Sequence, residues 1–109
     1  MRFNDYQLES RSTARYPDAG RNLIYPTLGL TGEAGEVSDK VKKLIRDRGG
    51  VVDEQFTDDV ALELGDVLWY VAQLATELGL SLEDVAEANL RKLKSRSERG
   101  TLQGDGDHR

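Results

Sequence analysis

Residues 57–79 read TDDVALELGDVLWYVAQLATELG, and this stretch decides the fold. Val60, Leu64, Val67, Val71, Leu74 and Leu78 recur at the three- and four-residue intervals of one helical face. Leu62, Leu68, Trp69, Tyr70, Ala72 and Ala75 fill much of the other side. A helix apolar nearly all round belongs at the centre of a core or in an interface between chains. Thr57 is a suitable cap, Asp58 and Asp59 suit its positive end, and Gly79 stops it. The pattern predicts a helix over about 58–79.

Helical periodicity continues on both sides, and strictly alternating β-branched runs are absent. Upstream, Leu30, Ala34, Val37, Val41, Leu44 and Ile45 form the apolar stripe of a helix from about Pro26 to Arg48, closed by Gly49-Gly50. Gly29, Gly32 and Gly35 lie inside it, each at a cost of about 1 kcal/mol relative to alanine. They serve either a close approach of helices or room for a ligand or a metal-bound carboxylate. Residues 49–56 read as a loop. A first helix is expected from Asn4 towards Tyr16, with Asn4 and Gln7 as a capping box, Phe3 and Leu8 as a hydrophobic staple, and Pro17 ending it. Ser81, with Asp84 three residues on, caps a last helix running to about Glu98. Residues 98–109 are a polar, glycine-rich tail by composition. Four helices with short connections predict an all-α four-helix bundle in a single domain, residues 1–109. The apolar third helix predicts a homo-oligomer, dimer or tetramer.

Composition narrows the chemistry. The 109 residues make one domain, and 38% hydrophobic against 32% charged residues is a polar balance that still supports a core. No run approaches the roughly 18 apolar residues that cross a bilayer. Met1-Arg2-Phe3-Asn4-Asp5 lacks the apolar run of a secretory leader, so a cytoplasmic protein without a membrane partner is expected. The absence of cysteine excludes disulfides, zinc–thiolate sites, iron–sulfur clusters and thiol nucleophiles. The single histidine, His108, is next to last, which argues against histidine-ligated metals and Ser-His-Asp catalysis. Metal chemistry here must use oxygen ligands. A net charge of −5 disfavours a nucleic-acid polymer as partner, yet Mg²⁺ can bridge carboxylates to the phosphates of a small ligand.

Two acidic pairs stand out, Glu33 with Glu36 in GEAGE and Glu63 with Asp66 in ELGD. With 20 acidic residues in the chain, pairs at this spacing arise several times by chance, and most are solvated faces. Setting distinguishes these two. Glu63 and Asp66 interrupt an apolar run, where an unpaired carboxylate is costly and one that holds a cation is not. Two such pairs on facing antiparallel helices would bring four carboxylates to one point, a site for Mg²⁺ or Mn²⁺. Lys40 and Lys43 fall on the face of Glu33 and Glu36, and Asn89, Lys92 and Arg96 share a face of the last helix. Asn89 reads equally as a satisfied core amide or a ligand contact, and isolated Lys and Arg on such faces are ordinarily solvated. Beside an acidic metal cluster they form a phosphate clamp. Trp69, Tyr25 and Phe56 could stack on a base, with core packing the plainer reading for each.

GLTGEAGEVSDKVKK followed by ELGDVLWYVAQLA resembles the MazG-type all-α nucleoside triphosphate pyrophosphohydrolases, whose signature is Glu-x-x-Glu, a spacer, then Glu-x-x-Asp. Here 26 residues separate Glu36 from Glu63. NLRKLKSR is similar to the Asn-x-x-Lys-Leu-x-x-Arg element of the family's last helix, and RGTLQGDGDHR to the closing segment of some small members. The resemblance implies that Glu33, Glu36, Glu63 and Asp66 bind Mg²⁺, for which Mn²⁺ substitutes, and that Glu33 or Glu36 activates water. It implies that Tyr70, Asn89, Lys92 and Arg96 contact the nucleotide, and that the tail closes over the site, its own or a neighbour's. The implied reaction converts a nucleoside triphosphate to the monophosphate and pyrophosphate, cleaning the nucleotide pool. The alternatives are a same-fold enzyme on another substrate, such as phosphoribosyl-ATP, and a non-catalytic helical interaction module.

Overall fold

The computed structural model describes residues 1–109 as four α-helices without a strand: α1 (Phe3–Ser10), α2 (Ile24–Arg48), α3 (Glu54–Glu77) and α4 (Leu82–Glu98). A 3₁₀ turn over Arg11–Thr13 follows α1. α2 and α3 pack antiparallel, as Gly29 against Tyr70 and Lys40 against Glu63 show. α1 lies antiparallel on the C-terminal half of α3, pairing Gln7 with Thr76 and Ser10 with Gln73. Tyr16, Leu44, Ala72, Ala75 and Leu82 form the small buried apolar core.

Several helix ends differ from the sequence reading for definable reasons. α3 starts one turn early because Asp53, not Thr57, caps it. The Asp53 carboxylate accepts the Phe56 amide at 2.9 Å, and Thr57, now inside the helix, donates its hydroxyl to the Asp53 carbonyl at 3.0 Å. A charged oxygen suits the positive helix end better than a hydroxyl. α1 stops at Ser10 rather than near Tyr16: the hydroxyls of Ser10, Ser12 and Thr13 each bond the carbonyl three residues back and tighten the chain into the 3₁₀ turn. Asn4 and Gln7 do not cap α1. Asn4 accepts the Glu83 amide and Gln7 the Leu82 amide, at 3.0 and 2.8 Å, so both satisfy the free N–H groups opening α4. Phe3 and Leu8 stay exposed. Gly49 in the left-handed conformation closes α2, and Ser81 caps α4 by accepting the Asp84 amide, both as the sequence indicates.

α4 leaves the other helices after its first turns. Every residue from Glu87 through Lys94 is exposed, Leu90 and Leu93 included. The four helices therefore do not close into a bundle within one chain. The Cα radius of gyration is 16.8 Å, against about 13 Å for a compact chain of this length. The accessible surface is 7793 Å², against about 6,000 Å² for a compact monomer of this mass. Leu23, Ile24, Leu28, Ile45, Leu62 and Leu64 are each half or more exposed. Residues 100–109 fold back on the end of α4. Arg109 donates to the Thr101 and Leu102 carbonyls, and Arg99 donates to the Arg109 carbonyl.

Candidate active site

The antiparallel register of α2 and α3 sets Glu33 opposite Glu63 and Asp66. Carboxylate oxygens of these three residues lie within 4.8 Å of one another. Glu33 and Glu63 are half-buried, whereas Asp66 opens to solvent. Burial, and then the charges of Asp66, Glu63 and Glu36, push the Glu33 carboxyl above its ordinary value. Three carboxylates held this close repel one another unless a cation lies among them. Glu36 stands one turn along α2, exposed and outside the triad. Lys40 approaches the cluster, with Nζ 3.9 Å from Glu63 Oε1. Lys43 instead pairs with Asp39 at 2.8 Å.

The α4 residues sit elsewhere. Lys92 Nζ lies 3.4 Å from Asp107 of the tail, and the buried Arg96 guanidinium holds the same residue through its carbonyl and its carboxylate. Asn89 is exposed beside Lys92. The bonds of Lys92 and Arg96 run to Asp107 of the tail rather than to α2 or α3 of the same chain.

Beyond Asp66, α3 leads into an aromatic cavity of about 300 Å³. Tyr16 and Tyr25 stack with ring centroids 4.9 Å apart, and Trp69 meets Tyr70 edge-on at 5.0 Å. These four rings, with Arg15 and Thr13, line the cavity. Tyr25 and Trp69 are thus cavity walls rather than core, while Phe56 lies outside it. Tyr70 joins cavity to carboxylates: burial, and then Tyr25, Glu33 and Asp66, raise its phenol above the ordinary value. Gly29 fits against this ring, where a Cβ would collide with Tyr70, whereas Gly32 and Gly35 face open space. Close approach explains the first glycine, and the other two leave room.

Sequence reading missed the face of α3 that holds this cavity open. The Trp69 indole donates to Thr13 Oγ1 at 3.0 Å, and the buried Gln73 donates to Ser10 Oγ at 2.8 Å. One turn further, Glu77 gathers four partners: Arg11 at 2.7 Å, the Tyr16 hydroxyl at 2.6 Å, and the amides of Gly20 and Asn22 at 2.8 and 2.7 Å. Gln73 offered a signal, an amide inside the apolar run WYVAQLA. Glu77 offers no such signal, being one polar residue near the end of α3.

The family model of the MazG nucleotide pyrophosphohydrolase domain matches residues 25–101. The chain belongs to the MazG family. It is 50% identical over 114 residues to the Gene 37 protein of Mycobacterium phage L5, with the whole of both chains covered. No solved structure matches it. The MazG match contains the carboxylate triad, Tyr70 and the α4 residues, and excludes α1 and the segment that carries Thr13 and Tyr16. MazG membership makes the chain a nucleotide pyrophosphohydrolase by family. An all-oxygen donor set of three carboxylates fits a hard divalent cation and lacks the imidazole and thiolate donors that select softer metals. No helix is long and apolar enough to cross a membrane.

Proposed function

We propose that this chain hydrolyses nucleoside triphosphates of the cytoplasmic pool to the monophosphate and pyrophosphate, with Mg²⁺ held by Glu33, Glu63 and Asp66. The observation that carries the proposal is the convergence of three carboxylates from facing helices at the edge of an aromatic cavity. Base and phosphates of one ligand span these two neighbouring features. When bound, Mg²⁺ neutralises phosphate charge and acidifies a nearby water. Glu36, outside the triad, orients the attacking water and accepts its proton. The water oxygen bonds to the α-phosphorus as the bond to the bridging oxygen breaks, and pyrophosphate leaves. Tyr25, Trp69 and Tyr70 hold the base, a ring system suited to a cavity of this size.

Lys40 lies close enough to the triad to meet a phosphate oxygen, and Lys43 follows one turn behind it. The remaining cations come from a second copy. The excess surface, about 1,800 Å² per chain, corresponds to roughly 3,500 Å² between two copies, in the range of obligate interfaces. The exposed stretch of α4 carries Arg91, Lys92 and Lys94, complementary to Glu33, Glu36, Glu63 and Asp66 on α2 and α3. A neighbour's α4 laid against that trough supplies Asn89 and Lys92 to the phosphates, while Arg96 holds the tail that comes with it.

Pyrophosphate and monophosphate release from a panel of nucleoside triphosphates, with Mg²⁺, with Mn²⁺ and with EDTA, tests the proposal. Release of both products that stops in EDTA supports it. Orthophosphate release would place the cut at the wrong bond. Metal-dependent thermal stabilisation without turnover on any nucleotide, phosphoribosyl-ATP included, would favour a non-catalytic module.

A further inference from the structure

We propose that Glu77 is a positioning residue for nucleobase recognition: from the end of α3 it fastens the segment Arg11–Asn22, and thereby sets Tyr16 as a fixed wall of the aromatic cavity. This inference rests on the reading that the cavity takes the base. Tyr16 and Pro17 lie on an irregular stretch with no helix of its own between the 3₁₀ turn and α2. Apart from local bonds within the turn, Arg21 to Asp18 and Asn22 to Pro17, tertiary contacts hold such a stretch. Glu77 supplies most of them. Its carboxylate side chain is 1% exposed and accepts from Tyr16, Arg11, Gly20 and Asn22. The two amides fix the far side of the turn, where Gly20 adopts φ +101°, a conformation that suits glycine. The Tyr16 hydroxyl fixes the near side, so the ring lies flat on Tyr25, interplanar angle 10°.

Glu77 lies two helical turns past Trp69 and does not touch the carboxylate triad, so its action is confined to the base end. Loss of the fastening should leave the phosphates and the metal as they were. The base then meets a wall that is no longer pre-set and must be ordered on binding, which weakens ground state and transition state alike.

The test compares Glu77→Gln, Tyr16→Phe and Trp69→Ala in the full chain. Four readouts are taken: KM and kcat for the preferred triphosphate, inhibition by inorganic tripolyphosphate, Mn²⁺ affinity without nucleotide, and thermal unfolding. Glu77→Gln should raise KM roughly tenfold with kcat within about twofold. Tripolyphosphate inhibition and Mn²⁺ affinity should stay unchanged, because neither probe reaches the base end. Tyr16→Phe keeps the ring, loses one donor to Glu77 and should show a smaller KM rise of the same kind. It decides the matter if Glu77→Gln does not fold. A KM rise in Trp69→Ala with none in the Glu77 and Tyr16 variants would overturn the positioning role while sparing the cavity as base site. No KM change in any of the three would sink the cavity reading, and this inference with it. Weakened Mn²⁺ binding or tripolyphosphate inhibition in Glu77→Gln would show a general structural effect and overturn the proposal.

Discussion

At Glu63 and Asp66 an otherwise apolar helix carries charge that packing does not need. Together with Glu33 they store repulsion in the metal-free chain, so Asp66→Ala should raise the melting temperature in EDTA. The same substitution should remove most of the stabilisation that Mg²⁺ gives the unaltered chain and lower turnover at least about 100-fold. Calorimetry with and without metal, alongside a pyrophosphate assay, checks all three effects. A variant that keeps near-normal turnover would show that the triad is not the site. Glu77 makes a separate prediction about pH. Burial alone would push its carboxyl up, but Tyr16, the Asn22 and Gly20 amides and Arg11 outweigh burial and hold it at about 2, against 4.5 ordinarily. The unfolded chain therefore binds the proton first on acidification. The stability contributed by Glu77 is complete above about pH 4.5 and drains away as pH falls towards 2. Glu77→Gln should cost on the order of 2–3 kcal/mol at neutral pH and show a flatter stability curve below pH 4.5. Urea titrations of both chains at pH 3, 4 and 6 separate this carboxylate from the others that titrate there.

The helices carry their own predictions through the glycines of α2. Gly29→Ala must displace the Tyr70 ring and should lower both stability and activity. Gly32→Ala meets nothing and should stabilise the chain by about 1 kcal/mol through helix propensity. Opposite shifts in melting temperature are the expected result, and a rise in both would deny the close approach at Gly29. The same helices show what the sequence could disclose. Glu63 and Asp66 were legible because they break an apolar period, and Ser81 and Gly49 because each has one local use. Asp53 and Thr57 are both good caps four residues apart, and the choice turned on charge at the helix end. Asn4 and Gln7 form a correct local pattern, yet their side chains are taken by the start of α4, some 75 residues away. Long-range demand of that kind leaves no trace in local spacing. The aromatic cavity was illegible for the same reason. Nothing near Tyr16 signals that a carboxylate on α3 will draw its hydroxyl in and lay the ring on Tyr25.

The molecule as a whole is open, with a radius of gyration of 16.8 Å. A radius of gyration well above that of a compact chain and a projecting helix with bare Leu90 and Leu93 leave apolar area that water does not favour. Association with copies of itself should appear as a dimer or tetramer in light scattering, and Leu90→Glu with Leu93→Glu should shift it towards monomer and lower activity. Loss of activity on dissociation has two explanations, instability of the lone chain or a site shared between chains. Mixing two inactive variants distinguishes them. Glu63→Ala removes a carboxylate of the triad, and Lys92→Ala removes a cation of α4. If each site draws its triad from one chain and its α4 from another, a mixed dimer holds one site with both parts intact. Random exchange makes half the dimers mixed, so the mixture should recover about a quarter of normal activity from two preparations that have almost none. If Lys92 served the triad of its own chain, every site in the mixture would keep a defect and activity would stay at the level of the separate variants. Recovery after co-refolding, measured as pyrophosphate release at fixed total protein, therefore reports directly on whether α4 works on its own chain or on its neighbour.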